Sequence, residues 1–248
     1  MPRVFNRIRK QLAIDNKFFQ YSRYAIGEIL LVVFGILIAL QVDNWNEERI
    51  SEKQMTSFLN SLENDLKTDT TEFGGVIRSF EYDIAIKENI KRSDLENIPT
   101  DSLRLLTDVH SGKHTPVQTT FKKITNSGIT QITKNDSLSE NIYDYYTTDL
   151  DYFNTINEFE DSESAKDFSY WGREQNRVEL IAPDMPNFQN EGEQRKRLLK
   201  LLSEPQGRNI LKREYVRKIR ILDDYRNMKT EATNLLKEIN KELKRRTD

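Results

Sequence analysis

Residues 24–42 read YAIGEILLVVFGILIALQV, and Ile29–Leu40 within them is an apolar run of twelve. Only Glu28, near the start, and Gln41, near the end, interrupt nineteen residues. A helix rises ~1.5 Å per residue, so the stretch covers about 28 Å, close to a hydrocarbon core of ~30 Å. A helix apolar on every face needs lipid or a large core around it. The chain is 36% hydrophobic and 31% charged, too polar to supply such a core elsewhere. The stretch predicts one transmembrane helix.

Charge on either side sets the expected orientation. Residues 1–23 carry Arg3, Arg7, Arg9, Lys10, Lys17 and Arg23 against Asp15 alone, a net of +5 inside a chain whose formal charge is −2. Asp43, Glu47 and Glu48 follow the apolar run, with only Arg49 and Lys53 close by. Retention of the basic flank places the N-terminus in the cytoplasm and residues 43–248 outside. Gln41-Val42-Asp43-Asn44-Trp45 offers no small-x-small cleavage site, so the segment reads as an uncleaved signal anchor. Trp45 then belongs at the outer interface, and Tyr21 and Tyr24 at the inner one. Val4, Phe5, Ile8, Leu12 and Phe19 recur at helical spacing among the basic residues. They fit an amphipathic helix on the inner leaflet or a solvated basic tail equally well. The expected organisation is 1–23 tail, 24–42 span and 43–248 extracytoplasmic domain.

Within the span, Glu28 is an ionisable group about one turn from the cytoplasmic end, where it reaches headgroups or stays protonated. Gly35 and Ala39 form a small-xxx-small pair that suits helix association, and with Gly27 they make a homo-oligomer a candidate state.

Beyond the span the pattern is helical. Prolines stand only at 2, 99, 116, 183, 186 and 205, which leaves two long proline-free stretches. In the first, Met55, Leu59, Leu62, Leu66, Phe73, Val76/Ile77, Phe80 and Ile84 recur mostly at spacings of three and four. It predicts a helix over 51–91, with Gly74-Gly75 as a kink. In the second, Val216, Ile219, Leu222, Tyr225, Met228, Leu235, Ile239 and Leu243 mark a helix over 208–246. Residues 43–72 hold eight acidic and three basic side chains, and 208–248 hold thirteen basic and seven acidic. That complementarity favours packing the first long helix against the last, antiparallel and coiled-coil-like. Between them, Thr100 as N-cap opens a short helix through Leu103, Leu106 and Val109. Thr119 or Thr120 opens a second that stops at Gly128. Asp136 or Ser137 starts a third carrying Leu138, Ile142, Tyr145, Tyr152, Ile156 and Phe159. Short strands at 129–132 or 178–181 are the alternatives, but the predicted class is an all-α bundle.

No motif carries chemistry. With no cysteine, thiolate catalysis and disulfides are excluded. His110 and His114 have the i, i+4 spacing of zinc ligands, but Gly112 lies between them and Pro116 follows, so a loop is expected. The acidic run Glu158, Glu160, Asp161, Glu163 and Asp167 lacks the turn glycine of a calcium loop and reads as a solvated helix face. Phosphate-binding loops and nucleophile elbows are absent. Neither an enzymatic activity nor a cofactor is expected. The basic clusters 195–200 and Lys241, Lys244, Arg245 and Arg246 point to a lipid surface and not to nucleic acid. Residues 143–171 gather nine of the chain's aromatics, and Tyr145, Tyr146, Tyr152 and Trp171 are candidates for either core or a partner-binding surface.

The stretch Tyr24–Arg49, YAIGEILLVVFGILIALQVDNWNEER, resembles the N-terminal signature of a family of uncharacterised bacterial membrane proteins, a domain of unknown function. Thr120-Phe121 through Ser127-Gly128 to Leu138, Ile142 and Tyr145-Tyr146 resembles that family's central region more loosely. The resemblance implies a single anchor in a bacterial inner membrane and a helical periplasmic domain. It implies no activity, substrate or catalytic residue. The expected function is that of an anchored scaffold that binds a membrane or periplasmic protein. A pore-forming homo-oligomer and a ligand-sensing receptor are the alternatives.

Overall fold

A computed structural model describes residues 18–91, 94–109, 112–129, 131–172, 179, 185–186 and 190–247. Among them every regular element is helical and none is a strand. The helices are α1 (Phe18–Lys91), α2 (Thr100–Leu105), α3 (Thr119–Asn126), α4 (Asp136–Asp144), α5 (Leu150–Trp171), α6 (Glu191–Ser203) and α7 (Pro205–Thr247). A 3-10 turn covers Leu95–Asn97, and a π-helical turn, Tyr145–Asp149, joins α4 to α5. The chain divides into two compact units, Met1–Met55 and Thr56–Asp248. The N-terminal residues Val4, Phe5, Ile8 and Leu12, His110 and most of 178–181 lie outside the described residues.

In the first unit the described residues all belong to α1. Its most apolar 18-residue window has a mean hydropathy of 2.5 and no part of it is buried, so this helix is long and apolar enough to cross a membrane. An unbroken apolar surface of this size marks a site of contact with lipid or protein.

In the second unit α1 remains helical through Gly74-Gly75, where a kink was expected. Among its buried positions Leu59, Leu62, Leu66, Asp69, Phe73, Val76, Phe80, Asp83 and Lys87 follow alternating spacings of three and four, with Ile77 buried beside them. On α7 Glu214, Lys218, Ile221, Tyr225, Met228, Ala232, Leu235, Ile239 and Glu242 follow the same alternation, with Ile210, Arg217 and Leu222 buried beside them. That is the heptad spacing that keeps one seam of a long helix against a partner. Thr56 meets Arg246 at 3.3 Å, Glu81 meets Arg226 at 2.7 Å and Glu88 meets Tyr215 at 2.8 Å. A main core unites Leu59, Leu62, Leu66, Phe73 and Phe80 with Ile124, Ile142, Phe153, Tyr225 and Leu235. Each fully buried leucine there contributes about 2 kcal/mol of transfer free energy. A second core holds Leu103, Leu106, Trp171, Leu198, Leu202 and Ile210.

Helix ends follow local chemistry. Thr100 does not cap α2; the cap position is Pro99, and Thr100 is the first helical residue, buried at 7% exposure. Asn135, not Asp136 or Ser137, caps α4, its side chain accepting from the Leu138 N–H. Gly128, just past α3, takes φ +74°, a conformation other residues reach only with strain. Glu204 ends α6 with extended backbone because Pro205 follows, and Pro205 opens α7, where its missing N–H costs nothing. At that corner the two helices approach so closely that a Cβ on Gly207 would lie 2.1 Å from the Leu201 carbonyl oxygen.

Candidate functional site

The π turn decides which side chains of α5 face inward. Up to it, Leu138, Ile142 and Tyr145 are buried at helical spacing, and regular continuation would bring in 149, 152, 156 and 159. The extra residue of the π turn rotates the rest by one position. Leu150, Phe153, Asn157, Glu160, Ser164, Asp167 and Trp171 are buried instead, while Tyr152 and Phe159 are 62% and 58% exposed. The expected apolar stripe through Tyr152 and Phe159 is therefore the outer face of α5. The shift exchanges aromatic burial for a polar seam.

α7 shows the same inversion. Val216 and Ile219, expected in the stripe, are exposed, and Glu214, Arg217 and Lys218 point inward. The Lys218 ammonium is 3.1 Å from Glu160 Oε1 and lies 4.9 Å over the Phe80 ring. Arg217 bridges two carboxylates of α5, donating from Nε to Glu160 Oε2 at 3.0 Å and from Nη2 to Asp167 Oδ2 at 2.8 Å. Arg213 donates to the other Asp167 oxygen at 2.6 Å. On α1, Lys87 donates to Asp83 Oδ1 at 2.6 Å and stands 3.1 Å from Glu214 Oε1. The second contact has ion-pair distance without hydrogen-bond geometry, so both Glu214 oxygens lack a hydrogen bond, as does Asp83 Oδ2. Burial pushes the Glu214 carboxyl up to about 7, against the opposing pull of Lys87. Along α1, α5 and α7 these charges separate residues of the main core from residues of the second. Glu160 and Asp167, expected on a solvated face, are thus part of a buried charged layer. A buried pair stands only because each charge is matched, so the layer specifies register more than it adds stability.

A second polar centre lies inside the main core. Asp69, fully buried, accepts from the Val117 N–H at 3.0 Å and contacts His114 Nε2 at 2.8 Å through the same oxygen. The His114 backbone N–H donates to the Tyr225 hydroxyl, which in turn donates to Asn157 Oδ1 at 2.8 Å. Burial raises the Tyr225 hydroxyl to about 12 and those of Tyr145 and Tyr146 further still, with Asp69 adding to the rise in the last two. Asp69 fastens the loop before α3 to α1. His114 is engaged by this carboxylate, and no cluster of three metal-ligating side chains occurs among the described residues.

The remaining predicted positions separate clearly. Tyr145, Tyr146 and Trp171 are buried at 2%, 5% and 0% exposure, so they are core and cannot form a partner surface. Tyr152 is on the surface. Glu28, Gly35, Ala39 and Trp45 are all exposed along α1, and Glu28 shares a groove with Arg23, Tyr24, Gly27, Leu31 and Val32. A Cβ at Gly35 would meet nothing within 4 Å. Lys241, Lys244 and Arg245 are exposed, Arg245 donating to Glu242, and the less exposed Arg246 donates to Glu242, Thr56 and Thr133. The Arg245 and Arg246 hydrogen bonds hold the Glu242 carboxyl below the ordinary glutamate range. Apolar residues alone trace a stripe through 216 and 219, which passes the charged layer by. Strict three-four alternation counted back from Ile239 leads to Lys218 and Glu214 instead.

No curated protein and no solved structure matches this chain. Residues 28–98 match the model of a family of unknown function, DUF6090, over the apolar stretch of α1 and on to Ile98.

Proposed function

We propose that this chain is a membrane-anchored interaction protein: one span in a bacterial inner membrane, N-terminus in the cytoplasm, carrying a periplasmic helical scaffold that binds a protein partner. The observation that carries the reading is the contrast within α1. Its apolar window is wholly unburied, whereas the same helix beyond residue 56 is half of a well-packed seam. The first and last long helices run antiparallel in this reading, supported by the ladder Thr56–Arg246, Glu81–Arg226 and Glu88–Tyr215. Heptad spacing on both favours a coiled-coil-like pair. The outer aromatics Tyr152 and Phe159, seven residues apart on α5, are the partner surface. Lys241, Lys244 and Arg245 remain candidates for a lipid surface, while Arg246 bonds Thr56, twelve residues past Asn44 in the chain.

Cross-linking in intact cells followed by mild detergent extraction tests the partner. A specific protein recovered with the native chain and lost with Tyr152→Ala/Phe159→Ala supports the reading; a chain recovered alone under several cross-linkers refutes it. Alkaline phosphatase fused after Asp248 should be active, and an inactive fusion overturns the orientation. Gly35, whose surroundings leave room for close helix approach, favours a second reading, self-association through the span. A monomer by native mass spectrometry in lipid would dismiss it.

A further inference from the structure

The charged layer contains an imbalance. Asp83 and Glu214 draw on one ammonium, that of Lys87, and the better contact goes to Asp83, at 2.6 Å against 3.1 Å. Glu214 is fully buried, and among the described residues neither of its oxygens has a hydrogen bond of good geometry, the Lys87 contact at 3.1 Å being the nearest to one. An ionised carboxylate in that position has lost its water and received only half a counter-ion, whereas the protonated acid loses little. We propose that Glu214 is a proton-binding side chain and that the layer between the two apolar cores is a pH-responsive joint, tight when Glu214 is protonated and loosened when it ionises. This inference is independent of the anchor and partner readings.

Three charged side chains act on Glu214, and the two cations among them are shared with other carboxylates. From α1, Lys87 and Asp83 act on it, and from α7, Lys218. Lys218 is already paired with Glu160, while Glu160 and Asp167 of α5 are held by Arg217 and Arg213. The sign follows from the raised carboxyl. An acid at about 7 when folded and 4.5 when exposed has its full stabilising effect below 4.5 and loses it as pH rises to about 7. Acidification from pH 8 to 6 should therefore tighten the joint by roughly tenfold in its closed-to-open ratio.

The test uses the full chain in lipid nanodiscs, with Glu28→Gln in every sample so that no carboxyl in the span contributes. Infrared spectroscopy of protein labelled with ¹³C-carboxyl glutamate should show a protonated-carboxyl band at pH 6 that fades with a midpoint near 7. Glu214→Gln, isosteric with the protonated acid, should fold and lack the band. Asp83→Asn should keep the band with a lower midpoint, because Lys87 is then undivided. Hydrogen-exchange protection of amides 210–222, corrected for intrinsic rates, should rise about tenfold between pH 8 and 6 in the native chain and stay flat in Glu214→Gln. No band in the native chain at pH 6, a band that survives Glu214→Gln, a midpoint that ignores Asp83→Asn, or protection that rises equally in Glu214→Gln would each overturn the proposal.

Discussion

Replacing Arg217 with methionine removes a guanidinium from between two buried carboxylates while keeping most of the side chain's length. Arg217 is 8% exposed, and its donors sit 3.0 Å from Glu160 and 2.8 Å from Asp167. Removing one partner of a buried pair costs about 3–5 kcal/mol, because the remaining charge has no water to return to. Here Lys218 still reaches Glu160 and Arg213 still reaches Asp167, which places the expected cost at about 3 kcal/mol. For a domain of 150–250 residues each kcal/mol moves the thermal midpoint by ~2–4 °C, so a fall of about 6–12 °C is expected. Circular dichroism of the full chain in one detergent measures it. The control is Arg226→Met, whose partner Glu81 is just as close at 2.7 Å but whose side chains are 50% and 47% exposed. Water screens that pair, so its loss should cost under ~1 kcal/mol. If Arg217→Met lowers the midpoint no further than Arg226→Met, burial does not set the worth of these charges and the account of the layer is wrong.

Gly207→Ala should destabilise by about 2 kcal/mol or more, since its Cβ would meet backbone at 2.1 Å and Trp171 Cη2 at 3.4 Å. A shift in Trp171 fluorescence in a Trp45→Phe background would register the opened corner, and an unchanged spectrum and midpoint would refute it. Deleting Thr147 from the π turn should preserve fold and midpoint, because α4 and α5 then join as one regular helix with the same residues inward. Deleting Thr155 of α5 should rotate all that follows by ~100° and unfold the layer; equal tolerance of both deletions would sink the phase argument. Tyr145→Phe removes a buried hydroxyl that makes no hydrogen bond and should be neutral or stabilising, whereas Tyr225→Phe strands Asn157 Oδ1 at a cost of about 1–3 kcal/mol. Thermal midpoints that rank these two the other way would contradict the polar assignments.

Much of the architecture lies in periodicity that any single stretch displays. The run Ile29–Leu40 is apolar on every face, and no tertiary contact is needed to see that such a helix must leave water. The long helices follow from proline-free stretches with apolar residues three and four apart, and Pro205 alone places the start of α7 within a few residues. Where the seam is apolar, sequence and structure agree at Leu59, Leu62, Leu66, Phe73, Val76 and Phe80 and at Leu222, Tyr225, Met228, Leu235 and Ile239, while Ile221 and Ala232 join it only in the structure.

The tertiary structure decided what local pattern left ambiguous or pointed the wrong way. A stripe through Tyr145, Tyr152 and Phe159 is a flawless helical repeat, yet the π turn overrides it by one residue. The reason lies on another helix: only the shifted phase sets Glu160 and Asp167 against Arg217 and Lys218, and Asn157 against Tyr225. No stretch of α5 read alone contains that information, because a buried charge is tolerable only when its partner is known. His114 is the same case in miniature, paired with an aspartate 45 residues away. Apolar burial is additive and nondirectional, so it can be read from one strand of sequence. Buried polar contacts are pairwise and directional, and they become visible only when the chain has brought both partners to one place.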